Sequence, residues 1–173
     1  MNDEQIRVLA GMLTAAVGSA CFVIIGFYYV PMPVPQIQTM GDRIAFALQW
    51  DCLAAFMLLV GVGSVARQRF FLSSAIDGSA PQSGTGLDIN IRYIQNTAEQ
   101  CLLLVIGHLA LATVVSEASL KIIPVLVVLF IVARALFWVG YHRSPLSRAV
   151  GFAATFYPTI AVYIYCIYKL LGT

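Results

Sequence analysis

The stretch "IRYIQNTAEQCLLL", residues 91–104, carries two opposed characters in one helix-length run. Its second half begins an apolar segment long enough to enter a bilayer, yet Arg92, Asn96, Glu99 and Gln100 sit at its start. The surrounding chain settles which solvent applies. Hydrophobic residues make up 60% of the 173 and charged residues only 10%, so the chain reads as an integral membrane protein. Five spans of roughly 20 residues, each able to cross a hydrocarbon core of about 30 Å, would use most of the length and leave no room for a soluble cofactor domain.

Working outward from residues 91–104, spans are expected at about 7–30, 44–66, 90–115, 121–141 and 147–170. The first ends at "PMPVPQ", which cannot continue a helix, and Asp3 and Glu4 stand where a signal peptide would be basic. The second stops in "RQRFF" and is followed by the Gly/Ser/Pro-rich connection "LSSAIDGSAPQSGTGLD". The last three spans are joined by short links, which force antiparallel neighbours and so an all-α helical bundle. Connections on one side hold Arg7, Arg67, Arg69, Arg92, Arg143 and Arg148, while the other side holds Arg43, Lys121 and Lys169. The excess of basic residues puts the N-terminus on the cytosolic side and the C-terminus outside. A net charge of +2 is too small to suggest nucleic acid. Cys21, Cys52, Cys101 and Cys166 lie in apolar segments without C-x-x-C spacing, which suggests neither disulfides nor a metal site.

Arg92, Asn96 and Glu99 fall at i, i+4 and i+7, a polar stripe along one helical face. Arg134, Phe137, Trp138 and Tyr141 repeat the spacing one span later, and Arg148 opens the last span across a short turn. Ionisable residues in a span are costly and usually face the bundle interior or a polar cavity. Glu99 could neutralise Arg92 or Arg134 in a structural ion pair. Counted against Arg92, Arg134, Arg143 and Arg148, however, one Glu leaves a surplus of positive charge that suits an anionic ligand.

The blocks "RYIQNTAEQ" and "ARALFWVGYHRSPLSRAVGF", with the basic "VARQRFF" upstream, resemble the membrane-associated proteins in eicosanoid and glutathione metabolism, the MAPEG family. The resemblance runs from about residue 45 to the end. It implies a four-helix membrane domain at 41–173, preceded at 1–40 by an extra transmembrane helix and Pro-rich loop, as in a mattrin-like five-helix subgroup. It also implies a homotrimer with its ligand site between subunits. The implied function is a glutathione-dependent transferase or peroxidase acting on a lipophilic small molecule or lipid, in an endomembrane such as the endoplasmic reticulum or in a bacterial inner membrane. By the same resemblance Arg67, Arg92, Asn96, Glu99, Arg134 and Tyr141 would hold glutathione, and Arg148 would stabilise its thiolate. That assignment is chemically sound: glutathione has two carboxylates for guanidinium groups, an ammonium for a carboxylate, and a thiol of pKa about 8.5 that a nearby cation lowers. Gln100 and Phe137 replace two tyrosines of leukotriene C synthase, and Gln68 separates Arg67 from Arg69. These departures favour an alternative, a non-catalytic mattrin-like regulatory protein acting through membrane partners or lipid binding. A transporter or channel subunit fits less well, because the polar groups cluster toward one face of the membrane.

Asp51 reads as an interhelical hydrogen-bonding or capping group rather than a proton relay, and His108 as a packing imidazole. Gly61, Gly63 and Ser64 suggest close helix approach, Pro124 a tolerated first-turn proline, and Pro158 a kink. Tyr157, Tyr163, Tyr165 and Tyr168 read as an interfacial and packing set.

Overall fold

The computed structural model describes residues 2–172 except 33, 36 and 38. Five helices account for nearly all of it: α1 (Asp3–Tyr29), α2 (Met40–Phe71), α3 (Gly86–Val114), α4 (Ile122–Arg143) and α5 (Arg148–Leu171), with single 3₁₀ turns at Ser73–Ala75 and Glu117–Ser119. All five are long and apolar enough to cross a membrane. The chain is a multi-pass helical bundle, and among the described residues there is no strand.

The helices outrun their apolar stretches because polar caps extend them into the interface. Asn2 and Gln5 exchange backbone-to-side-chain bonds of 2.9 and 3.0 Å, and Thr39 and Asp42 do the same at 3.1 and 2.8 Å, so α1 and α2 start earlier than hydropathy alone indicates. The α3 start is set by Thr85, whose hydroxyl accepts from the Asp88 N–H. At the other end of α3, Arg43 donates from Nε to the Ala112 carbonyl at 2.6 Å and from its terminal nitrogen to Val115. A guanidinium thereby satisfies carbonyls that the helix leaves open and meets the negative end of its dipole. In the connection after α2, Gly78 and Gly84 take φ of +85° and +81°, conformations that glycine adopts without strain.

The helix α4 lies at the centre and is the most deeply buried of the five, and α1 is the least. It runs antiparallel to α3 and α5 and beside α2, while α1 packs on α5 and α4. The closest approach is between α4 and α5 at Gly151, where a Cβ would lie 2.3 Å from the Phe137 nitrogen and 2.6 Å from the Ala133 carbonyl oxygen. Only glycine lets the two backbones meet there. Between α2 and α3, Gly61 faces the Tyr93 ring, where a Cβ would come within 2.8 Å, and Ser64 Oγ accepts from Asn90 Nδ2 at 3.2 Å. Gly63 departs from the expectation of close packing, having no neighbour within 4 Å of a Cβ placed there. Pro124 sits in the first turn of α4, and Pro158 lies inside α5.

The α2–α3 pair is also joined deep in the bundle by Asp51 and His108. Each side chain is 2% exposed, and His108 Nδ1 lies 2.6 Å from Asp51 Oδ1. The interhelical bond expected of Asp51 is therefore present, and its partner is the histidine that by itself looked like packing.

Candidate functional site

The α3 stripe feeds three different environments. Arg92 is exposed and donates from Nε to Asp88 Oδ1 at 3.0 Å, while the other carboxylate oxygen of Asp88 accepts from the Gly84 N–H. Asn96 is half-buried and its Oδ1 accepts from Arg134 at 2.8 Å. Glu99 is exposed, and its carboxylate accepts from Gln95 Nε2 at 3.4 Å. The alternative in which Glu99 neutralises Arg92 or Arg134 is not found: among the described residues Arg92 pairs with Asp88, and Arg134 makes no ion pair. Asp88 escaped the charge count although it stands at the i, i+4 spacing from Arg92 that pairs side chains on a helix.

Arg134 is wholly buried and works as a three-way tie. One terminal nitrogen donates to Asn96 on α3, and the other donates to the Gly151 carbonyl at 3.0 Å and to Thr155 Oγ1 at 2.7 Å, both on α5. The faces of Phe130 and Phe137 flank it, with the guanidinium carbon 5.7 and 4.7 Å from the ring centroids. The single Thr155 hydroxyl proton has two acceptors in reach, the Phe152 carbonyl at 2.9 Å and Gln100 Oε1 at 3.4 Å. Gln100 is thus buried in this tie rather than presented to a ligand.

On the same end of the bundle, a cavity of about 450 Å³ gathers Arg92, Asn96, Tyr141 and Arg148, with Val8 and Met12 of α1 forming part of its wall. The Arg148 guanidinium stands 4.6 Å from the centroid of the Tyr141 ring. Tyr141 meets Phe137 edge to face at 5.8 Å, and Tyr93 stacks on Trp138 at 4.8 Å, so an aromatic layer forms the floor between the helices. Behind it Asn90 organises a second network: its Oδ1 accepts from Trp138 Nε1 at 2.7 Å and lies 2.9 Å from His142 Nε2. That acceptor role makes His142 Nε2 the protonated ring nitrogen.

Of the residues singled out in the sequence, Arg92, Asn96, Tyr141 and Arg148 share this cavity, whereas Arg134 lies behind it and holds Asn96. Arg67 lines a different groove of about 700 Å³ with Gly63, Ser64, Gln68 and Trp138. Arg69 faces the loop instead: a Cβ on Gly78 would lie 3.1 Å from one of its guanidinium nitrogens. In that loop the Ser79 backbone N–H, donating at 3.0 Å, is the main cause holding the Asp77 carboxyl below the usual carboxylate range. Sequence reasoning missed Thr155, Asn90 and the two α1 residues. Thr155 and Asn90 had no partner in sequence, and Val8 and Met12 belong to the span set apart from the bundle.

Residues 45–168 match the family model described as MAPEG. The chain belongs to the MAPEG family. Two curated relatives are both transmembrane protein 79: that of Mus musculus is 22% identical over 167 residues, and that of Bos taurus is 21% identical over the same length. Each alignment takes in 96% of this chain but 42% of the relative, so the chain spans less than half the length of the relatives it matches. The likeness extends beyond the MAPEG match toward the N-terminus, in keeping with a mattrin-like five-helix subgroup. No solved structure matches at a significant level.

Proposed function

We propose that this MAPEG protein binds glutathione at the Arg92–Asn96–Tyr141–Arg148 cavity and turns its thiol on lipophilic substrates, as a membrane-embedded transferase or peroxidase. The observation that carries the reading is the meeting of two guanidinium groups, an amide oxygen and a phenol in one cavity of about 450 Å³. Ligand pockets of this kind commonly enclose about 300–1,000 Å³. Arg92 and Arg148 are the groups to receive carboxylates and to stabilise a thiolate. In the transferase reaction the thiol gives its proton to water and the thiolate forms a C–S bond with an electrophilic carbon of the second substrate. The π bond of a conjugated acceptor or the ring C–O bond of an epoxide breaks as it forms, and its electron pair takes up a proton from water. The lipophilic partner would reach the sulfur sideways from the bilayer.

In this reading the protein is a homotrimer. Exposed Glu99 and the Arg67 groove complete the site across a subunit boundary, where Glu99 receives the ligand's ammonium. Residues 1–40 are an extra N-terminal transmembrane helix and Pro-rich loop added to a four-helix MAPEG-like membrane domain at 41–173. The cavity opens toward the cytosol, following the basic bias of that side, in an endomembrane or a bacterial inner membrane.

A second reading has its own support. Gln100 is engaged with Thr155, and Phe137 stands beside Tyr141 without a hydroxyl, so the cavity lacks two donors that leukotriene C synthase has. Such a site could bind without activating, as a non-catalytic mattrin-like regulator would.

The deciding experiment is calorimetric titration of the purified protein with glutathione, paired with thiolate absorbance and turnover of a lipophilic electrophile. The expected outcome is saturable binding, a bound thiol ionised at neutral pH, and an Arg148→Ala variant that loses turnover far more than affinity. Binding without a thiolate in the wild-type protein would select the regulatory reading. No binding would remove the glutathione site and leave only a regulator that acts through membrane partners or lipid.

A further inference from the structure

A second cavity of about 550 Å³ lies at the opposite end of the bundle from Arg148 and belongs to none of the chemistry above. It is walled on one side by α1, from Ala16 to Phe27, and on the other by α4 and the part of α5 from Tyr157 to Tyr165. The void has a clear origin in sequence. Ala16, Ser19, Ala20 and Ala161 are small where larger apolar residues would fill the space between the helices, and Pro158 lies in the α5 wall. Within this length α1 meets α4 closely at Gly26, where a Cβ would lie 2.7 Å from Val125, and the small side chains leave the groove open beside that contact. A cavity bounded by apolar helices inside a span is reached from the lipid.

Its dimensions and its two ends specify the occupant. From Ala16 to Phe27 the α1 wall runs roughly 16 Å at about 1.5 Å per residue, half of a hydrocarbon core of about 30 Å. That is the depth of one leaflet, and hence the reach of one acyl chain. Polar groups gather at one end: Ser119 lines it, and the Tyr165 ring forms part of the wall. Lys121 lies there too, its ammonium 4.5 Å above the Phe27 ring that closes the cavity. The exposed Glu117 belongs to the same turn, but no ion pair among the described residues involves Lys121. Lys169 stands over the outer side of Tyr165 at 5.7 Å. The end of the cavity that meets the membrane surface is thus basic and hydroxyl-bearing, and the rest is hydrocarbon-like.

We propose that the groove between α1 and the α4–α5 pair is a lipid site holding one acyl chain, with an anionic head group, phosphate or carboxylate, at Lys121. In this arrangement the lipid takes the place of side chains that α1 lacks and fastens α1 to the bundle.

The test is native mass spectrometry of the full chain in mild detergent with three probes of matched oleoyl chain: lysophosphatidylglycerol, oleate and monooleoylglycerol. The expected result is one probe retained per chain, with either or both anionic probes favoured over the neutral one by about fivefold, the contribution of one lysine near a membrane surface. A preference for only one anionic probe identifies the head group as phosphate or carboxylate. Lys121→Gln should erase the preference while leaving retention of monooleoylglycerol unchanged. Ala161→Phe, a substitution that points into open space, should lower retention of all three at least tenfold while the protein keeps its melting temperature without lipid. Equal retention of all probes by the wild type would overturn the head-group assignment. Retention unaffected by Ala161→Phe would overturn the site, and an altered oligomeric mass in that variant would show that a second copy covers the groove instead.

Discussion

Replacing Arg134 by methionine should unfasten α3 from α5. The guanidinium makes three hydrogen bonds, to Asn96, to the Gly151 carbonyl and to Thr155, and it is completely buried. A hydrogen bond to a charged group contributes about 1.5–3 kcal/mol, so the three together hold on the order of 5–9 kcal/mol. Against that stands the cost of an arginine at the centre of a membrane helix, about 2.5–3.5 kcal/mol on insertion scales, which methionine removes. The balance is a net loss of roughly 2–6 kcal/mol, read as a lower midpoint in detergent-micelle unfolding. Arg134→Lys keeps the charge but cannot span acceptors on two helices from one ammonium, so it should fall between wild type and methionine. Thr155→Val removes one partner only and should cost about 1–3 kcal/mol. The local consequence is as informative as the global one, because Asn96 loses the donor that fixes its orientation at the cavity and glutathione affinity should fall with it. An Arg134→Met protein as stable as wild type or more so would refute the reasoning. It would mean that desolvation of the buried cation outweighs its three bonds.

Three further outcomes are expected. Glu99→Gln changes an exposed group bonded only to Gln95 among the described residues, so its melting temperature should stay within the shift expected of about 0.5 kcal/mol, while calorimetric glutathione affinity drops about tenfold or more. His108→Leu leaves the Asp51 carboxyl, whose Oδ2 already has no partner, buried alone and should cost about 1–3 kcal/mol or more in chemical unfolding; the double variant Asp51→Leu/His108→Leu should recover most of that, since an apolar pair leaves no buried polar group without a partner. Gly151→Ala places a methyl 2.3 Å from the Phe137 nitrogen, so it should separate α4 from α5 and destabilise by about 3 kcal/mol or more, with loss of the Arg134 bond to the Gly151 carbonyl.

The number of helices, their antiparallel order and the family were readable from residues alone. Hydropathy and capping are local properties: about 20 apolar residues between polar caps become a helix whatever surrounds them. The stripe at Arg92, Asn96 and Glu99 was readable for the same reason, because helical spacing places i, i+4 and i+7 within one arc. What meets that arc was not. Tertiary structure turned Asn96 to Arg134, left Glu99 outside and routed Arg67 to another groove, since those outcomes depend on how α3, α4 and α5 cross and on the backbone contact at Gly151. Asp51 and His108 show the same division. Each is an isolated polar residue in an apolar span, 57 positions apart, and only the antiparallel seating of α2 on α3 brings them to 2.6 Å. Burial then makes the pair obligatory, because neither group has water to turn to. The lipid-sized void beside α1 belongs wholly to the tertiary level: alanines and a serine in sequence do not say whether helices close around them, and here the packing of α1 on α5 and α4 leaves them open.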